Sequence, residues 1–190
     1  MKKLFSFLLL VCLSYNLLAQ YDYEPSKEYP YGRLNPEAPE AIADYAALIG
    51  KCNCEYTQRN QQGNWGEPAN MTWIFKYIMN GMAVQDETLK PDGIHSGSIR
   101  QYNVDSSKWY VHYYTMAANP ASLPSWEGGK DDNGNIVLYN EQIAPNGMEG
   151  FYKIIFSDIS VTGFNWQGAW VNPKETIVYP LFKITCKKTP

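Results

Sequence analysis

The sequence predicts an all-β fold, a closed antiparallel up-and-down barrel of about 8–10 strands with a short N-terminal helix. Three observations predict it. From residue 50 onward, apolar β-forming runs alternate with turn signals: Asn80-Gly81, Pro91-Asp92-Gly93, Asp105-Ser106, Asn133-Gly134 and Asn146-Gly147, with looser breaks near Thr162-Gly163 and Asn172-Pro173. Punctuation this regular leaves no room for crossover helices, so consecutive strands are joined as a meander. A long meander carries two edges of unpaired backbone groups, and closing it on itself removes both.

The chain begins with Met1, Lys2 and Lys3 and then runs apolar from Leu4 to Leu18, interrupted by Ser6, Ser14, Tyr15 and Asn16. A basic start, a short apolar run and a small residue at its end have the order of an export signal, and the run is too short and too interrupted for a good membrane span. Cleavage is expected after Ala19, leaving about 171 of the 190 residues for a secreted or periplasmic protein. A lipid attached at Cys12 is the weaker alternative, because Val11 is bulky where a small residue is needed. Residues 20–35 are rich in Tyr, Pro, Glu and Lys without a period and read as an extended lead-in to a domain over residues 36–190. Within residues 36–49, Ala43, Ala46, Ala47 and Leu48 are spaced for one helical face and Gly50 is a stop, which gives the short helix.

Side-chain parity supplies an inside. Cys52, Cys54 and Tyr56 alternate with Lys51, Asn53 and Glu55, while Trp73, Phe75 and Tyr77 oppose Lys76. Tyr152, Ile154 and Phe156 oppose Lys153, and Phe164, Trp166 and Trp170 oppose Asn165 and Gln167. Phe182, Ile184 and Cys186 oppose Lys183. The first and last strands of a closed meander are neighbours, so Cys186 is expected to pair with Cys52 or Cys54, which sit too far apart along one strand to bond each other easily. Such a bridge would restrain the unfolded chain by roughly 5 kcal/mol. Three free thiols or a metal site form the rival reading, weakened by the lack of a recognised ligand spacing.

Removing Lys2 and Lys3 leaves 14 basic against 19 acidic side chains, a formal charge of about −5 that argues against a nucleic-acid partner. With no second apolar span in the sequence, no membrane-spanning helix is expected either. Only His95 and His112 are present, which excludes a multi-histidine metal centre, and no phosphate loop, dinucleotide fingerprint, GxSxG or HExxH occurs, so no cofactor is expected. Oligomeric state is left open.

Leu48-Ile49-Gly50-Lys51-Cys52, the run Trp73 to Gly81, Gly97-Ser98-Ile99-Arg100-Gln101-Tyr102 with Lys108-Trp109, and Phe164-Asn165-Trp166-Gln167-Gly168 together resemble a group of bacterial lipocalin-like barrels in the calycin superfamily. The resemblance extends over most of residues 43–186. It implies a ligand-holding interior without fixing the ligand, since such barrels include carriers and enzymes. These barrels often carry tryptophan two residues after the glycine and a basic residue on the closing strand; here the positions are Cys52 and Cys186, which implies a Cys52–Cys186 bridge in place of a stacking brace. A haem held by one axial histidine is disfavoured, because neither histidine falls on the closing strand where a related barrel family keeps one.

The stretch Trp109 to Met116 is the richest in chemistry. Parity puts Tyr110, His112, Tyr114 and Met116 on one face and Trp109, Val111, Tyr113 and Thr115 on the other. If the first set faces inward, His112 lies between two phenols as an acid-base group. Arg100, one hairpin earlier, would then meet a ligand carboxylate or sulfate, unless a salt bridge to Asp86, Glu87 or Asp105 occupies it. Trp73, Phe75, Tyr77, Trp166 and Trp170 either fill the core or stack on ligand rings. The expectation is an exported barrel binding an acidic saccharide, with elimination or dehydration catalysed by His112, Tyr110, Tyr114 and Arg100. The alternative is a non-catalytic carrier of a small apolar or aromatic ligand.

Overall fold

The computed structural model describes residues 21–188. The expected export signal therefore lies outside the described residues. Ten strands form one closed barrel: β1 (Gly50–Gln58), β2 (Ala69–Ile78), β3 (Ala83–Leu89), β4 (His95–Asn103), β5 (Lys108–Thr115), β6 (Ser125–Lys130), β7 (Ile136–Glu141), β8 (Phe151–Ser160), β9 (Gly163–Val171) and β10 (Val178–Lys188). Each is antiparallel to its neighbour in sequence, and β1 closes on β10. The sheet therefore has no free edge.

Alternation decides what fills it. Cys52, Cys54, Trp73, Phe75, Tyr77, Phe156, Phe164, Ile184 and Cys186 are buried in one core cluster, as their parity predicts. Their strand neighbours Lys51, Asn53, Glu55 and Lys183 are exposed. No helix among the described residues is long and apolar enough to cross a membrane.

One end of the barrel is plugged. The helix is a 3₁₀ helix, Glu40–Leu48, and it buries Ile42, Tyr45 and Leu48. This corrects the expected alanine face: at three residues per turn these larger side chains line up on one edge, and Ala43 and Ala46 are left exposed. Tyr45 packs edge-on against Trp109 with ring centres 4.8 Å apart and against Phe156 at 6.1 Å.

The lead-in is tied across the same end. Tyr77 N–H donates to Tyr31 O at 2.9 Å, Tyr23 N–H to Asn80 Oδ1 at 3.2 Å, and Arg33 stacks over the Tyr29 ring at 4.1 Å. Gly81, at φ +77°, lets the strap approach, because a Cβ there would stand 2.4 Å from Arg33 O.

The disulfide joins Cys54 to Cys186, not Cys52 to Cys186. Register is the reason: Cys54 lies directly opposite Cys186 across β1 and β10, whereas Cys52 lies opposite Lys188. Cys52 stays a buried free thiol, its pKa raised by burial.

Candidate ligand site in the barrel lumen

The end opposite the plug is open, and a cavity of about 450 Å³ runs inward from it. Its rings are Trp73, Tyr113, Trp126, Tyr152, Phe156, Trp166 and Phe182. Met71, Val111, Leu138, Ile154 and Ile184 add aliphatic wall, and Ser96, Ser98, Asn140 and Gln142 add neutral polar groups. Its charged side chains are Asp86, Arg100 and Lys90.

Asp86 and Arg100 form an ion pair on facing strands, with side-chain exposures of 3% and 4%. Asp86 also accepts from Trp73 Nε1 at 2.7 Å. The guanidinium lies over the Tyr45 and Phe75 rings, 5.2 Å from each centre, and 5.8 Å from that of Phe156. Burial pulls the Arg100 pKa below its ordinary value and pushes that of Tyr45 above. Among the described residues, Arg100 Nε and Tyr45 Oη have no hydrogen-bond partner. The sequence named Asp86 as a partner for Arg100 but at the surface; the pair is instead in the lumen, because even-numbered residues of both β3 and β4 point inward.

His112, Tyr110 and Tyr114 do not line the lumen, which corrects the inward placement of that set. The β4–β5 register pairs Arg100 with Val111 and Ile99 with His112, and directly opposed residues share a face. With Arg100 inside, Trp109, Val111 and Tyr113 must be inside too. His112 Nδ1 instead bonds Ser125 Oγ at 3.1 Å. Tyr114 accepts from Gln85 Nε2 at 2.7 Å, and its ring covers Gly97, where a Cβ would stand 2.5 Å from the Tyr114 oxygen. Tyr110 reaches Ser106 at 3.4 Å.

Of the expected ring set, Trp73 and Trp166 line the cavity. Phe75 and Tyr77 are buried nearer the plug and serve as core. Trp170 closes a seam at the mouth, donating from Nε1 to Gln142 O at 3.1 Å. Sequence reasoning missed Trp126, Tyr113 and Lys90 as lining residues. Parity across the β4–β5 hairpin would have found Tyr113.

Tyr152 has its pKa pushed up to about 12, by burial first and then by Tyr113. Its phenol is thus a proton-bearing donor at neutral pH and not a base.

No family model matches the chain, and no curated protein sequence does. Among solved structures, Rv2717c from M. tuberculosis matches with a TM-score of 0.52 at 10% identity, over 81% of this chain and 100% of that chain. What the two share is a fold. At that identity the likeness extends to a small barrel and no further.

Proposed function

We propose that this is an exported, lipocalin-like barrel that binds one small molecule in its lumen and releases it unchanged. The observation that carries this reading is the lining itself. Flat rings and aliphatic wall surround neutral hydrogen-bonding groups, in a space sized for a small ligand. Sugar rings and planar aromatic bodies both suit such walls, since each offers a flat apolar face to an indole and polar edges to Asn140, Gln142 and Ser96.

Binding is favoured over turnover because an elimination needs a base within reach of the substrate. His112 is on the outer face, Asp86 is held by Arg100 and Trp73, and Tyr152 keeps its proton. The saccharide therefore stays in this proposal as a ligand class, without the lyase step. Neutral phenylnaphthylamine is a suitable probe, and its fluorescence should rise on saturable, one-to-one binding to the mature protein. Ile154→Trp, which puts an indole into the cavity, should abolish that rise while the melting transition persists. Equal binding by that variant would remove the lumen as the site.

A further inference from the structure

We propose that the lumen selects a ligand with one anionic head group, and that Lys90 at the mouth holds it; this rests on the ligand-binding reading above. Charge inside the barrel is unbalanced. Asp86 and Arg100 cancel as a closed pair, which leaves Lys90 as the remaining charged side chain of the lining. Among the described residues Lys90 forms no ion pair, a state it shares with outward-facing lysines such as Lys51 and Lys183, but it alone of these lines the cavity.

Its position is also fixed by packing. Tyr56 and Phe182 stack with centres 5.5 Å apart and planes 5° from parallel. The Lys90 ammonium lies 5.0 Å from the Tyr56 ring centre and 5.8 Å from that of Phe182. Ring faces attract a cation but do not neutralise it, so the donors of the ammonium remain free for an acceptor. Phe182 lines the cavity together with Lys90. A flat apolar body lying along Trp166 and Phe182 thus brings its outer end to Lys90, and a carboxylate or sulfonate there gains a charge-assisted hydrogen bond at the rim. The cost of carrying that charge deep into the barrel is avoided.

The test uses a matched pair of probes, neutral phenylnaphthylamine and its sulfonated form, anilinonaphthalene sulfonate. The wild-type protein should bind both, the sulfonate more tightly, with that preference falling as salt is added. Lys90→Met, which keeps an apolar stem over the rings, should weaken the sulfonate about tenfold, the size of one hydrogen bond to a charged group, and leave the neutral probe unchanged. Lys90→Arg should restore the preference. Equal weakening of both probes by Lys90→Met would make Lys90 a packing residue and overturn the inference while the binding reading stands. Sulfonate binding untouched in Lys90→Met would also overturn it. Failure of the wild type to bind either probe would overturn both readings together.

Discussion

Replacing Arg100 by Leu would leave Asp86 buried with a single remaining donor, the indole of Trp73. Little water reaches the carboxylate, which lines the cavity but whose side chain is only 3% exposed, so a poorly compensated charge or a forced protonation must follow. Breaking a buried pair from one side costs about 3–5 kcal/mol. Against a total stability of about 5–15 kcal/mol, that is a large fraction. The melting temperature should fall by about 6–20 °C for a domain of this size. The double variant Asp86→Leu/Arg100→Met removes both charges and should recover most of the loss, because an apolar replacement of a buried pair is often neutral or better. Guanidinium titration followed by tryptophan fluorescence, with the disulfide intact, reads all these proteins on one scale. A loss below about 1 kcal/mol in Arg100→Leu, the range of an exposed pair, would refute the reasoning. So would a double variant as unstable as the single losses added together.

The disulfide register gives a second prediction: non-reducing peptide mapping should find Cys54 joined to Cys186, with Cys52 labelled by a thiol reagent only after unfolding. Cys54→Ser should cost about 5 kcal/mol on the chain-entropy account, and Cys52→Ser far less. Tyr152 supplies a pH prediction. Its proton is held more tightly in the folded state, so its contribution is complete below pH 10 and is lost as pH rises towards about 12, on the order of 2–3 kcal/mol in all. Melting curves at rising alkaline pH should therefore fall more steeply for the wild type than for Tyr152→Phe, and parallel curves would contradict the assignment. His112→Ala, on the outer face, should leave probe binding within error of the wild type.

The turns and the parity of most strands were legible in the sequence because half-buried strands must alternate, and the barrel followed from those two regularities. The register between strands was harder to read, and the misplaced residues trace to it. Cys52 and Cys54 share a face, so parity cannot choose between them; the pairing of Cys54 with Cys186 depends on where β10 stops against β1. His112 is more instructive. Four residues, 104–107, separate Asn103 from Lys108, which pair across the hairpin, so even-numbered residues of β4 oppose odd-numbered residues of β5. Arg100 and His112 can never share a face under that register. The short exposed run Asp105-Ser106 in the sequence was enough to locate the turn but not to count its residues. Lys90 was invisible for a different reason: a lysine beside Pro91 in a polar turn looks solvated, and only the closed barrel brings it over Tyr56 and Phe182.

The central claim, that the ligand sits inside the barrel, is tested most directly by the indole N–H signals of the six tryptophans in a nitrogen-labelled sample. Trp73, Trp126 and Trp166 line the cavity, Trp109 is sealed under the plug with Nε1 bonded to Asp44, and Trp65 lies outside against Arg59 and Lys183. On titration with phenylnaphthylamine the account predicts saturable shifts for Trp126, Trp166 and Trp73, with Trp65 and Trp109 unmoved. Shifts confined to Trp65, or no saturable shift at the three lumen indoles, would contradict it.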